Sequence, residues 1–255
     1  MSRRHDIDTR LEGLSDIGKI MRSMKNLSYM ETRKLARFID AQRHVVTSIE
    51  NAAGDFLDHY PGLLQAMNED RPAAASCWLL IGAERGFCGD FNEAVLHALE
   101  QQQDTEREPV ALIAVGSRLA TTLEHDPRLL ATVPGASTAE EVSAVLLRLI
   151  DTLDEIATQR RRLRLRVLHW EDEADTVSNV SLLPPFQETA TASAHPFPPL
   201  LNLPPSEFLE RLIDHYVFAA LHALLYSSLI AEHQHRLRHL DAALRRLDER
   251  TRGLE

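Results

Sequence analysis

The stretch from Ile7 to Lys25 reads I-D-T-R-L-E-G-L-S-D-I-G-K-I-M-R-S-M-K, and it decides the architecture of the chain. Its apolar residues recur every three or four positions, which places them along one side of an α-helix. The same spacing continues without a proline to about Leu57, and Pro61-Gly62 then provides a stop. The sequence therefore predicts one helix of roughly fifty residues, about 75 Å long.

The other end of the chain carries a matching pattern. From Ser206 to Arg252 there is neither proline nor glycine. Ser206 directly follows Pro204-Pro205 and is the expected N-cap of a second long helix. Two long amphipathic helices at opposite ends of a chain most simply bury their apolar faces against each other. With a compact insert between them, their order predicts an antiparallel coiled coil.

The middle of the chain alternates strand and helix patterns. Strands are expected at Ser76–Ile81, Val110–Val115, Leu129–Val133, Leu163–Trp170 and Thr176–Leu183. Helices are expected at Phe91–Gln103, after Gly116 to about Glu124, and from Ser137 to about Arg160. Ser137 and Glu140 have the spacing of a capping box. The alternation predicts a parallel, doubly wound sheet, so the fold class is α/β: a Rossmann-like domain inserted into the coiled coil.

These patterns divide the chain into four parts. Residues 1–60 form the N-terminal coiled-coil helix and residues 206–255 the C-terminal helix that pairs with it. Residues 73–183 form the Rossmann-like domain. Residues 184–205 contain seven prolines and form an extended connector.

Composition excludes several classes of protein. The 255 residues are 44% hydrophobic, which excludes a wholly disordered chain, and no apolar run reaches the roughly 18 residues of a membrane span. The first residues resemble no signal peptide. Cys77 and Cys88 cannot by themselves build a disulfide framework or a four-ligand zinc site, so a reducing cytosol is the expected compartment.

Charge is distributed unevenly along the chain. The net charge is −10, but residues 1–43 hold ten lysines and arginines against six acids, a balance of +4. Residues 44–210 carry −15 and residues 211–255 carry +1. The densest basic run, Arg160 to Arg162, belongs to an acidic chain without aromatic platforms, so we expect no nucleic-acid partner.

The loop from Gly82 to Gly89 lies between a predicted strand and a helix, where nucleotides often bind. It matches neither the P-loop nor the dinucleotide fingerprint, and only Arg85 and backbone amides could hold a phosphate. Cys88 lies near Arg85, which could lower the pKa of the thiol. A nucleotide- or small-molecule-binding enzyme stays open as the alternative, but the residues favour no catalytic group, no cofactor and no metal.

Three segments, in order, resemble the gamma subunit of F-type ATP synthases. The segment Ile7–Lys25 resembles I-R-x-R/K-I-x-S-I/V-x-N-T-x-K-I-T-K/R-A-M, Glu84–Asn92 resembles D-R/K-G-L-C-G-x-L/F-N, and Ala231–Ala243 resembles S-E-x-x-A/S-R-M/V-x-A-M-x-x-A. The first is matched at Ile7, Arg10, Lys19, Ile20, Arg22 and Met24. Together the three segments, with the Rossmann-like middle, extend over nearly the whole chain.

The resemblance implies a rotor shaft without catalytic residues, part of a proton- or sodium-transporting two-sector ATPase. The coiled coil would turn inside a ring of alpha and beta subunits and transmit torque. The middle domain would lie beside the epsilon subunit and the membrane ring of c subunits. The implied location is the cytoplasmic face of the bacterial inner membrane, peripheral to it through the complex. A coiled-coil adaptor derived from gamma stays open as a further alternative.

The resemblance also implies two sets of functional residues. Contacts with the beta subunit are expected at Lys19, Arg22, Met24, Lys25, Glu232 and Arg236. A structural loop is expected at Arg85, Gly86, Cys88, Gly89 and Asn92.

The sequence departs from the family pattern in its last turns. The I-T-x-E-I/L motif that ends the family's C-terminal helix is not found before Glu255. We expect either a truncated or a shortened form, and a diverged bacterial or sodium-translocating branch of the family. Gamma holds no ion site, so the transported ion cannot be read from this chain.

Overall fold

A computed structural model describes residues 2–69, 75–103, 110–160, 163–186 and 197–253. Arg161 and Arg162 of the basic run, and residues 187–196 of the proline-rich connector, lie outside the described residues. The division of the chain into four parts stays a prediction at its boundaries.

Two helices dominate the structure: α1 (Ser2–His59) and α6 (Pro205–Arg252). They pack side by side and run antiparallel, because Lys25 pairs with Asp241 near one end and Phe56 packs on Phe208 near the other. At 1.5 Å per residue, α1 is about 87 Å long. The predicted coiled coil of terminal helices is confirmed.

The helix ends differ in detail from the sequence prediction. The N-cap of α6 is Pro204, and Pro205 occupies the first turn, so the expected Ser206 cap is wrong. Proline suits that position because its fixed φ is already helical and its missing N–H would have no partner there. A short helix that we did not predict, α2 (Leu63–Glu69), follows the Pro61-Gly62 stop.

The middle of the chain forms a five-stranded sheet with the order β3-β2-β1-β4-β5. The strands are β1 (Ala75–Ile81), β2 (Ala111–Val115), β3 (Leu129–Val133), β4 (Leu163–Glu171) and β5 (Thr176–Leu183). Strands β1 to β4 are parallel, as predicted, but β5 runs antiparallel to β4, so the predicted parallel direction is wrong for β5. Residues 172–175 are enough for a hairpin but too few for a crossover helix.

Three helices accompany the sheet: α3 (Phe91–Gln103), α4 (Ser117–Thr122) and α5 (Val142–Arg160). A 3-10 turn at Ala139–Glu141 precedes α5, and its N-cap is Thr138. The predicted capping box is wrong, because the Ser137 amide donates to Glu141 while the Glu140 carboxylate pairs with Lys34 of α1.

The core joins the sheet to the coiled coil. One face of the sheet, with Leu79 and Ile113, packs in a single cluster with α5, with Leu35 of α1 and with Leu221 of α6. The other face packs on α3 and α4. The α/β domain and the two long helices therefore share one continuous hydrophobic core.

The long C-terminal helix is unusually apolar in its first half. A window of α6 reaches a mean hydropathy of 1.2 and is long enough to cross a membrane, but 61% of that window is buried inside the protein. Packing against α1 and the sheet accounts for this composition.

Candidate functional site

The loop between β1 and α3, residues 82–90, is held tightly at the carboxyl edge of the sheet. A Cβ atom on Gly82 would lie 2.5 Å from Leu119 Cβ, so the chain needs glycine where β1 ends. The Ala83 amide donates to Asn92 Oδ1 at 2.9 Å, and this bond fixes the loop to the first turn of α3. The predicted loop residue Asn92 thus serves the loop backbone.

The Glu84 carboxylate fills the space at this edge of the sheet. Its Oε2 accepts from the Ser117 amide at 2.8 Å and from the Gly135 amide at 2.7 Å, and its Oε1 accepts from Ser117 Oγ at 2.8 Å. Nucleotide-binding α/β folds place phosphate at the corresponding edge. Because the chain's own carboxylate occupies it, the geometry disfavours the nucleotide-binding alternative. Sequence reasoning missed this role of Glu84.

Two side chains of α6 form hydrogen bonds with the backbone of this loop. Glu232 is only 3% exposed and accepts from the Glu84 amide at 3.1 Å and the Arg85 amide at 3.3 Å. Arg236 is 5% exposed, donates to the Gly86 carbonyl at 3.1 Å and forms an ion pair with Glu232. Burial raises the pKa of the Glu232 carboxyl, and the Arg236 guanidinium opposes that change. These two residues therefore connect α6 to the loop backbone.

Cys88 is buried in the same cluster. Its thiol donates to the Arg85 carbonyl at 3.3 Å, and Arg236 Nη2 donates to Sγ at 3.4 Å. Burial, reinforced by the nearby Glu232 carboxylate, raises the pKa of the Cys88 thiol to about 12. The expected lowering of this pKa is therefore wrong, and the protonated thiol is a poor nucleophile.

The remaining loop residues shape its outer surface. Phe87 and Gly89 have positive φ angles of 65° and 63°, and glycine adopts such angles at little cost. Arg85 donates from Nε to Ser137 Oγ at 2.7 Å, so this side chain is bonded to the segment before α5. Gly86 supplies the carbonyl that Arg236 binds.

The other predicted site residues lie along α1. Lys25 pairs with Asp241 of α6 and lowers the pKa of that carboxyl. Lys19 pairs with Asp16 within the helix, and Met24 packs against the small core formed by Met21, Leu240 and Leu244. The structure places Lys25 and the exposed Arg22 in one groove with Asp241. It does not add Glu232 and Arg236 to that groove, because they face the loop.

Large apolar side chains lie exposed among these cations. Ile20, Leu27 and Met30 are each more than half exposed on α1. Together with Lys19 and Arg22 they give the N-terminal half of α1 a face that is both basic and apolar. Exposed apolar surface of this kind marks interaction sites in soluble proteins.

Metal binding finds no support in the ranges that the structure describes. No group of three or more histidine, cysteine or acidic side chains stands close enough there to hold a metal ion. His222, His233 and His235 lie on α6, and burial lowers the pKa of each imidazole.

Acid is expected to destabilise the fold through His233. Burial, reinforced by the Arg236 guanidinium, lowers the pKa of His233 from 6.5 to about 4 in the folded chain. Between these pH values the unfolded chain binds a proton at His233 that the folded chain does not. The contribution of neutral His233 to the free energy of unfolding is therefore fully present above pH 6.5 and is lost as the pH decreases. We expect His233 to contribute a loss of about 2 kcal/mol by pH 5.

Urea unfolding at several pH values measures this loss. His233→Gln should give a flatter dependence than the unmodified chain between pH 6.5 and 5, and His97→Gln on α3 serves as the control. The same pH dependence of the free energy of unfolding in the unmodified chain and in His233→Gln would contradict this role of His233.

Comparison with known proteins gives the family. A family model described as ATP synthase matches residues 3–255. The chain belongs to this family. Its curated relatives include the ATP synthase gamma chain of Moorella thermoacetica, 25% identical over 118 residues, and that of Desulfitobacterium hafniense, 22% identical over 118 residues. Each match covers 46% of this chain and 42% of the relative, so the aligned region spans less than half of those proteins.

Solved structures share the fold over almost the full length. The rotor of Euglena gracilis mitochondrial ATP synthase matches with a TM-score of 0.66 at 15% identity, covering 98% of this chain and 94% of that chain. The central stalk and c-ring structure of Tetrahymena thermophila mitochondrial ATP synthase matches with a TM-score of 0.60 at 14% identity, covering 88% and 99%. The predicted fold class, a coiled coil with an inserted α/β domain, is confirmed.

Proposed function

We propose that the chain is the gamma subunit of an F-type ATP synthase, the central-stalk rotor that transmits torque between the c-ring and the catalytic alpha–beta ring. The family match over residues 3–255 supports this role, as does the likeness to the Euglena gracilis rotor. The chain has no catalytic residues of its own in this role. Chemistry would take place on its partners.

The observation that carries the proposal is the shared core of shaft and domain. A rotor must be stiff along its axis and must not slip against the part that drives it. The antiparallel pair of α1 and α6 supplies the stiff axis, and Leu35, Leu79 and Leu221 belong to one core cluster. Close-packed interiors transmit strain, so the α/β domain and the shaft can turn as one body.

The proposed partners follow from this arrangement. The alpha and beta subunits would surround the part of the coiled coil that projects beyond the α/β domain. The epsilon subunit and the c-ring would contact the α/β domain and the opposite end of the shaft. The complex would lie on the cytoplasmic face of the bacterial inner membrane. Residues 1–60 and 206–255 would act as shaft, residues 73–183 as the attached domain and residues 184–205 as connector.

We place the proposed contact with beta on the basic and apolar face of α1. Lys19, Arg22, Met24 and Lys25 are the predicted contact residues. Lys19 and Arg22 are exposed on this face, whereas Met24 packs against the small core and Lys25 pairs with Asp241 of α6. Glu232 and Arg236 were predicted for the same contact, and both side chains are buried beneath the loop. The contact itself stays a prediction for all six residues.

Co-expression tests the proposed function. The chain, co-expressed with the alpha and beta subunits of an F-type ATP synthase from the same organism, should co-purify as one complex that hydrolyses ATP, whereas the chain alone should not hydrolyse ATP. A chain that stays separate from alpha and beta would overturn the rotor proposal. Such a result would favour the coiled-coil adaptor.

Neutralising the exposed cations tests the contact face. Lys19→Gln with Arg22→Gln should lower the affinity for the alpha–beta ring by about tenfold at low ionic strength, because two positive charges of the proposed contact are lost. The difference should shrink as salt screens the remaining charges. The free energy of unfolding of the chain should change by less than about 0.5 kcal/mol, since both side chains are at the surface.

A matched control removes two positive charges elsewhere. Arg148 on α5 and Arg211 near the start of α6 are exposed and distant from this face. Arg148→Gln with Arg211→Gln should leave the affinity at the unmodified value. Equal losses from both pairs would contradict a contact at Lys19 and Arg22.

A further inference from the structure

The turn between β4 and β5, residues 172–175, contacts both long helices. Asp172 Oδ1 lies 2.6 Å from Arg43 Nη2 of α1 and accepts a hydrogen bond from Ser227 Oγ of α6 at 2.7 Å. Glu173 also pairs with Arg43. At the other end of the turn, Asp175 Oδ1 accepts from Arg238 of α6 at 2.8 Å. One short turn thus joins the sheet to two helices that are far apart in sequence.

The surroundings of the turn fix its position. The Asp172 side chain is only 9% exposed, and its amide donates to Ser227 Oγ at 3.2 Å. Asp175 adopts a positive φ of 51°, and His235 Nε2 lies 3.2 Å from its carboxylate. The His235 ring packs on Trp170 at the end of β4. A non-glycine residue with this backbone conformation persists where its surroundings hold it.

Other polar contacts in the described part of the chain also join the domain to the shaft. Glu232 and Arg236 connect the loop after β1 to α6. Glu31 and Lys34 connect the segment before α5 to α1. The 172–175 turn forms ion pairs with both helices, through Arg43 of α1 and Arg238 of α6, and so fixes them against the same strand pair. Rotation of one helix relative to the other would break at least one of these ion pairs.

We propose that the 172–175 turn is an ionic clasp that fixes the rotation of α1 against α6 and passes torque from the α/β domain into both helices. This role rests on the proposed rotor function. The buried Asp172 supplies the strong part of the clasp, since a charge pair shielded from water is screened little by salt. The pairs at Glu173 and Arg238 are exposed and weaken as ionic strength rises.

Hydrogen–deuterium exchange on the full chain tests the clasp without any partner. In Asp172→Asn with Asp175→Asn, amide exchange in α1 around Arg43 and in the β4–β5 hairpin should accelerate by roughly tenfold, because local opening no longer breaks the ion pairs. Exchange in α5 should stay unchanged. Asp151→Asn removes one charge from the exposed face of α5 and should leave all three regions as they were.

A second variant covers the case in which the double variant does not fold. Arg238→Gln changes a half-exposed side chain and removes one arm of the clasp. It should accelerate exchange in the hairpin by a smaller factor, and 0.5 M salt should reproduce that effect in the unmodified chain. Exchange that does not change in either variant would overturn the proposal.

The assembled complex separates failure of the clasp from failure of the rotor role. If the unmodified chain does not co-purify with alpha and beta, the rotor role fails and the exchange result stands alone. If it does assemble, the double variant should hydrolyse ATP at the unmodified rate but lose ion pumping per ATP. Pumping equal to that of the unmodified complex would overturn the torque-transmitting role of the clasp.

Discussion

Replacing Arg236 by methionine is expected to lower the free energy of unfolding by about 3–5 kcal/mol. Methionine keeps the length of the side chain but leaves the Glu232 carboxylate buried without its cation. It also removes the donor to the Gly86 carbonyl and to Cys88 Sγ. A buried charge or carbonyl that loses its partner has given up its contacts with water on folding and has no hydrogen bond in their place, which destabilises the folded state. Urea unfolding at pH 7.5 measures the loss.

The double variant identifies the cause of that loss. Adding Glu232→Gln to Arg236→Met removes the buried charge while the amide oxygen can still accept from the Glu84 amide. The free energy of unfolding of the double variant should be about 2 kcal/mol higher than that of Arg236→Met alone, because the effects of substitutions at two residues of one ion pair are not additive.

A control on the same helix separates pairing from general effects. Arg245→Met changes a side chain that is 78% exposed and should shift stability by less than about 0.5 kcal/mol. Equal costs for Arg236→Met and Arg245→Met, or additive effects of the two changes at 232 and 236, would contradict the assigned role.

The two long helices could be predicted from sequence because their cause is local and repeated. Apolar residues at three- and four-residue spacing specify a helix wherever they occur, and neither Pro nor Gly interrupts Ser206 to Arg252. The strands of the parallel sheet were also predictable, since buried strands such as Ala111–Val115 are continuous apolar runs. The β5 strand was assigned the wrong direction because the five-residue spacing after Trp170 was not weighed against the length of a crossover.

The contacts of the site were not predictable, because they join residues distant in sequence. Glu84 reaches Gly135, and Asp172 reaches Arg43, through folding of the whole domain. Glu232 and Arg236 have the spacing of an ordinary solvated helix pair, and only the covering loop makes them a buried one. The family resemblance supplies the identity of these residues but gives no information about their burial.

Replacing Gly116 by alanine is expected to cost about 3 kcal/mol, since backbone strain and overpacking act together. Gly116 has a φ of 106°, and a Cβ atom there would lie 2.6 Å from the Gly82 carbonyl oxygen and 2.8 Å from that of Ala83. Both obstacles are backbone, so no side chain can move aside. The loop would have to shift away from the sheet, which would weaken the hydrogen bonds that Ser117 donates to the Glu84 carboxylate.

The same substitution at Gly13 provides a control with the opposite sign. Gly13 lies in α1 with nothing within 4 Å of the added Cβ, and alanine there should stabilise the helix by at most about 1 kcal/mol. Thermal unfolding of both variants gives the comparison. If Gly116→Ala were neutral, the loop would be free to move, and neither the Glu84 bonds nor the link from α6 could hold the domain rigidly to the shaft. A large loss at Gly116 with a gain at Gly13 would instead show that the loop backbone is fixed closely against the start of α4.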